Sequence, residues 1–154
     1  MPRDLPIEGR NLKGVHFALE LLSQQNRILE GIVIPPKDII NCKGKKILII
    51  GGGDTGSDCV GTANRHKAAN VTQIEIMPQP PVGHNPTTPW PLYPQVLKTS
   101  SSHEEGCIRR WNLASVRFIG EKNTLKGVEV EEVEMVACEK RRTSRNDGRQ
   151  AVRK

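Results

Sequence analysis

Aromatic side chains are scarce: two Trp, one Tyr and two Phe in 154 residues. Trp90 and Trp111 therefore read as packing anchors rather than as a stacking platform. Long apolar runs are missing too. No stretch approaches the ~18 consecutive apolar residues of a spanning helix, so no membrane association is expected. The opening decapeptide, MPRDLPIEGR, lacks the apolar stretch of a secretory signal, and a cytoplasmic location is expected. The four cysteines, Cys42, Cys59, Cys107 and Cys138, are far apart with no CxxC pair. That spacing removes the usual zinc and dithiol motifs, so free thiols and no metal site are expected.

An excess of one charge is also missing from most of the chain. Seven of the 23 basic and two of the 17 acidic residues fall in 139–154, which leaves 16 and 15 for residues 1–138. The net charge of +6 thus belongs mostly to a basic tail. A basic face on the body, and with it a specific nucleic-acid partner, is not expected. The remaining composition, 36% hydrophobic and 26% charged with mean hydropathy −0.48, is that of one globular domain.

Three segments divide the chain. Residues 1–14 are polar, with two prolines and two glycines, and read as a connector. Residues 15–136 carry the periodic patterns of a folded domain. Residues 137–154 are basic and poor in apolar side chains. A solvated, poorly ordered tail is expected there, and non-specific attraction to polyanions is the alternative.

Within the domain, Val15, Ala18, Leu19, Leu22 and Leu29 recur at helical spacing, with Gln24, Gln25 and Asn26 on other faces. Gly31 and Pro35-Pro36 end that helix. Ile47–Ile50 suits a strand buried on both faces of a parallel sheet. A helix is expected from Asp54 to about Ala68, and a second strand over Val71–Met77. Seven prolines between Pro78 and Pro94 exclude a helix or central strand there. Beyond them, Ser100–Gly106 holds a helix start. Val116–Ile119, Thr124–Val130 and Glu132–Val136 read as a small meander, with a tight turn at Lys122-Asn123 and a bulge at Glu131-Glu132.

Directly after Ile50 comes Gly51-Gly52-Gly53-Asp54-Thr55-Gly56, a G-x-G-x-x-G sequence between a strand and a helix. Gly51 permits the tight turn, Gly53 lets backbone approach a pyrophosphate, and Gly56 lets the helix pack against the strand. The helix N-terminus then offers N–H groups and a positive dipole end to phosphates. Glu75, 24 residues beyond Gly51, stands where an acidic residue takes the ribose hydroxyls of an adenosine. The bland alternative for Glu75 is a solvated residue at a sheet edge. The expected fold is α/β: a Rossmann-like nucleotide-binding domain with a parallel sheet core, helices on both faces and a β-meander excursion.

Longer motifs carry a family resemblance. PRDLPIEGRNLKGVHFALELLSQQN, GKKILIIGGGDTGSDCVGTANRH, QIEIMPQPP with PWPLYP, KTSSSHEEGCIRRW and VRFIGEKNTLKGVEVEEVE closely resemble the small (beta) subunit of glutamate synthase. They equally resemble the matching C-terminal region of fused glutamate synthases. The resemblance covers roughly residues 2–136 and implies the nicotinamide domain, which in this family is inserted within a split FAD domain. It implies electron transfer from NAD(P)H to FAD, then through iron–sulfur clusters to a large subunit or region that makes glutamate. The cysteine-rich cluster segment, a second glycine fingerprint and the motif closing the FAD domain are not in these residues. On that resemblance the chain is expected to be a fragment or truncated product, with FAD and the clusters held by the parent protein.

Which nicotinamide cofactor binds turns on charge. Recognition of a 2′-phosphate usually wants arginine after the second strand. Here no arginine or lysine follows Glu75 until Lys98, so NADH is favoured over NADPH. Lys98, Arg109 or Arg110 folding back would reverse that preference. No catalytic side chain is expected, because hydride transfer to a flavin needs no protein base on the nicotinamide. Glu104 and Glu105 read as helix-start or interdomain residues, Arg65 and His66 as dipole partners, and Cys59 as a small apolar residue. The rival readings are the equivalent domain of a dihydropyrimidine dehydrogenase-like or ferredoxin-linked oxidoreductase, and a non-catalytic module that kept the fold.

Overall fold

The computed structural model describes residues 4–82, 97–137 and 149–153, with 135–137 and 149–153 described by backbone. Strand β1 is Lys46–Ile50, helix α2 is Asp54–Arg65 and strand β2 is Asn70–Ile74; helix α1, Ala18–Leu29, precedes them. β1 and β2 pair in parallel, from Lys46 opposite Asn70 to Ile50 opposite Ile74. The aliphatic run of β1 and the small residues of α2 make this β-α-β unit possible. Cys59, Val60 and Ala63 of α2 bury against Ile49 of β1 and Val71 of β2, with Leu21 of α1 and Cys42 completing the cluster. Val60 has no exposed surface at all. Beyond β2 lie the short helix α3, Ser101–Glu104, and strand β3, Ile108–Arg110, which pairs in parallel with β2. The sheet order is β1-β2-β3.

The face of α1 that packs overlaps the expected one at Ala18 and Leu22, which lie against the core, but is rotated from it. Leu19 and Leu29 are exposed, whereas Leu21 and Gln24 are buried. Gln24 is inside because its amide pairs with one backbone unit: Nε2 donates to Ile40 O at 3.0 Å and Oε1 accepts from Ile40 N at 2.7 Å. A glutamine so satisfied costs little to bury.

The sheet is covered by helix on one side among the described residues. Ile47 and Ile49 face α2, but Leu48 and Ile50, expected to be buried, are 37% and 43% exposed. Ile108 on the same face is 53% exposed, although Ile74 of the central strand is buried. The crossovers β1-α2-β2 and β2-α3-β3 both run on the helix-covered face, with α3 against α2, and a helix for the other has to come from another crossover.

The second sheet is antiparallel. Strand β4, Leu113–Glu121, pairs with β5, Thr124–Ala137, and β5 with β6, Arg149–Arg153. Lys122 and Asn123 both have positive φ, as the two-residue hairpin turn requires. The two expected strands over 124–136 are one. Register irregularities fall between Ser115 and Arg117 and between Ile119 and Gly120, not at Glu131-Glu132. Within the stretch read as an unstructured tail, Arg149–Arg153 pairs with the end of β5, and 138–148 lies outside the described residues. The N-terminal connector is paired as well: Phe118 N donates to Glu8 O at 2.8 Å and Leu125 N to Lys13 O at 2.9 Å. Of the proline-rich segment, 83–96 with Trp90 lies outside the described residues.

Candidate functional site

The glycine loop joins the end of β1 to the start of α2. Gly51 has φ of +115°, a conformation other residues rarely adopt, and its N–H bonds Ile74 O at 2.8 Å. Gly53 is the N-cap of α2, and a Cβ there would meet nothing within 4 Å. Gly56 is the opposite: its Cβ would stand 2.6 Å from Gly51 O and 2.8 Å from Gln73 Nε2. Asp54 and Thr55, in the first turn of α2, are exposed.

Glu75 directly follows β2 and reaches the loop. Its Oε2 accepts from Gly52 N–H and its Oε1 from Met77 N–H at 3.3 Å. All seven expected site residues, Gly51 to Gly56 and Glu75, therefore gather at one end of the parallel sheet. This is the end where open α/β sheets present their ligand crevices.

A cavity of about 630 Å³ opens beside the loop. Gly52, Asp54, Ser57 and Asp58 form one wall and Lys98, Thr99, Ser100, Ser101 and Ser102 the other. Lys98, distant in sequence, is thus brought opposite the glycine loop. Arg109 is engaged elsewhere, donating to Lys98 O at 3.1 Å and lying over the Trp111 ring at 5.2 Å.

Behind the cavity is a buried polar chain that sequence reasoning passed over. His103, 8% exposed, makes a 2.9 Å hydrogen bond through Nε2 with Gln73 Oε1. Gln73, 2% exposed, donates from Nε2 to Gly51 O at 2.8 Å. At its other nitrogen, His103 Nδ1 accepts from Ser100 N at 3.1 Å and lies 2.9 Å from Ser100 Oγ. Burial, helped by Arg109, pushes the His103 pKa below the usual histidine value. The available signal was Gln73 itself, a polar residue two places on from Val71 and so on the same strand face as that core residue.

The helix-end residues have structural partners. Arg65 pairs with Glu105 at 2.7 Å, and His66 Nε2 lies 2.7 Å from Gln25 Oε1. Cys59 is in the core, its thiol pushed up to about 11 by burial and by Asp58. No group of metal-ligating side chains occurs among the described residues, and no described helix is long and apolar enough to cross a membrane.

The architecture has solved relatives. An FAD-dependent pyridine nucleotide-disulphide oxidoreductase from Desulfovibrio vulgaris superposes with a TM-score of 0.50 at 17% identity, over 84% of this chain and 29% of that one. The parallel β-α-β unit with its glycine loop is a Rossmann-like fold, the fold of such oxidoreductases. No family model matches the chain.

Sequence relatives narrow the class. The glutamate synthase (NADPH) small chain of Mycobacterium tuberculosis is 45% identical over 137 residues, covering 87% of this chain. The glutamate synthase (NADH) of Schizosaccharomyces pombe is 44% identical over 105 residues, and the Bacillus subtilis small chain 36% identical over 127. The chain is homologous to part of these glutamate synthases, which are oxidoreductases. It spans 28% of the length of the M. tuberculosis small chain and 5% of the S. pombe protein.

Proposed function

We propose that residues 15–136 bind NAD(P)H and hold its nicotinamide towards a flavin carried by the rest of a cytoplasmic glutamate synthase-type enzyme. The observation that carries this reading is the open space at Gly53. A glycine whose Cβ would meet no atom within 4 Å among the described residues beyond its chain neighbours, capping a helix at the crevice end of a parallel sheet, leaves room for a pyrophosphate. Gly52, Asp54 and Thr55 surround that space, and Gly51 and Gly56 shape the backbone around it. The domain supplies position and electrostatics, while hydride chemistry belongs to the cofactor pair. An FAD domain and the large subunit or region are the partners, and the iron–sulfur clusters lie in the parent protein.

Calorimetry with NAD(H) and NADP(H) tests this. Gly53→Val should abolish binding with little change in stability, because the new side chain enters space that only the ligand uses. Equal affinity in wild type and variant would overturn the reading.

The cofactor preference within it is NADH, through Glu75. Its carboxylate, already at the loop, accepts from the ribose 2′- and 3′-hydroxyls and repels a 2′-phosphate. Charge-assisted hydrogen bonds contribute roughly 1.5–3 kcal/mol, enough for about a tenfold or larger preference. Glu75→Gln, and separately Gln79→Arg, should shift the ratio of dissociation constants towards NADPH. Lys98 in the cavity wall favours a second reading, in which its ammonium receives the 2′-phosphate. A wild type that prefers NADPH and loses that preference on Lys98→Gln would establish it.

A further inference from the structure

The Ser100–His103–Gln73–Gly51 chain runs from one wall of the cavity to the other. Ser100 lines the wall opposite the loop, and Gly51 precedes Gly52 on the loop side. The direction of every bond follows from one donor. Ser100 N–H can only donate, so His103 Nδ1 is the acceptor and Nε2 carries the hydrogen. Nε2–H then donates to Gln73 Oε1, which turns the Gln73 amide nitrogen towards Gly51 O. Ser100 Oγ lies 2.9 Å from the same nitrogen, and its O–H shares the single Nδ1 lone pair with the N–H. Each buried polar atom in the line has a defined role, and none can be reversed without breaking another.

Gly56 takes part in this arrangement. A Cβ at position 56 would stand 2.8 Å from Gln73 Nε2 as well as 2.6 Å from Gly51 O. The third glycine of the fingerprint thereby leaves room for the Gln73 amide to reach the loop, besides letting helix and strand approach.

We propose that the buried His103–Gln73 pair is the positioning device of the glycine loop, holding the Gly51 carbonyl and tying the loop to the Ser100 wall before ligand arrives. His103 and Gln73 act through Gly51 and are positioning residues, not catalytic ones. Two substitutions separate the link from the helix cap. His103→Asn keeps an acceptor for Ser100 N–H but is too short to reach Gln73. His103→Gln places an amide near the Nε2 position and restores the link. Gln73→Met removes the link while keeping length and apolar volume.

The first measurement uses ligand-free, nitrogen-15-labelled chain at neutral pH. Long-range proton–nitrogen spectra should show His103 as the neutral Nε2–H tautomer. The Gly51, Gly52 and Gly53 amide signals should shift or broaden in Gln73→Met and His103→Asn and return towards wild type in His103→Gln. The second measurement, which rests on the dinucleotide reading, is NAD(H) and NADP(H) affinity. Both cofactors should weaken roughly three- to tenfold in the two link-breaking variants, the loss expected for one buried hydrogen bond, with recovery in His103→Gln. Loop amides that are unchanged in both link-breaking variants, or His103 found as the Nδ1–H tautomer, would overturn the positioning role. A wild-type chain that binds neither cofactor would overturn the dinucleotide reading instead, and the ligand-free spectra would still decide the role of His103 and Gln73.

Discussion

Gly53 and Gly56 stand three residues apart in one fingerprint and meet opposite surroundings, open space for the first and packed atoms for the second. Spacing identifies both as glycines of a G-x-G-x-x-G loop; only the tertiary neighbours assign them different work. His103 shows the same limit more sharply. By sequence its neighbours Glu104 and Glu105 read as helix-start residues and His103 has no assigned role, yet His103 caps α3 and its imidazole is wedged between Ser100 and Gln73. Its neutral form is the one that fits, and Arg109 on β3 adds positive charge nearby, while Arg65 of α2 is paired with Glu105. The folded pKa is therefore below the 6.5 of an unfolded histidine, so the unfolded chain binds the extra proton first. The stability this group contributes is complete above pH 6.5 and is lost as pH falls from there through the folded pKa. Thermal midpoints followed from neutral to mildly acidic pH should fall more steeply in wild type than in His103→Gln. Parallel profiles would show that His103 is not the group responsible.

Elements show where hydrophobic pattern is sufficient and where pairing decides. β1 is legible as an aliphatic run, and α2 as a segment opened by glycine and Asp54, although it ends at Arg65, short of the expected Ala68. The pattern does not say which face of β1 is covered. Ile49 is buried against α2, whereas Leu48 is 37% exposed. Ile49→Ala should cost about 2–5 kcal/mol, as deletions from packed cores do. Leu48→Thr should cost roughly 0.5 kcal/mol in this chain, the scale of surface changes. Urea midpoints of the two variants check this, and equal losses would mean that both faces are packed. β3 was missed because Ile108–Arg110 is three residues with two arginines, and only its hydrogen bonds to β2 make it a strand. β5 was divided because its alternation slips at Glu131-Glu132, yet the hairpin absorbs irregularity in other places.

At the scale of the whole molecule, the chain holds one glycine fingerprint and matches 28% of a small chain. One fingerprint serves one dinucleotide. The purified 154-residue chain should therefore be colourless above 400 nm, roughly where flavins absorb, and should not oxidise NAD(P)H with a dye acceptor. A yellow protein, or turnover with the dye, would show that these residues also hold a flavin. What the sequence determined by itself was whatever depends on neighbours along the chain: the aliphatic strand, the glycine turn, the Lys122-Asn123 hairpin and the long motifs shared with glutamate synthases. Tertiary structure alone decided what depends on contacts between distant segments. It buried Gln24 on Ile40, paired the connector at Glu8 and Lys13 with β4 and β5, and set Lys98 across a cavity from Gly52. It also threaded His103 and Gln73 to Gly51. Backbone preferences and apolar periodicity are local and can be read in order, whereas a buried polar group is specified by the partner that satisfies it, and that partner is chosen when the chain folds.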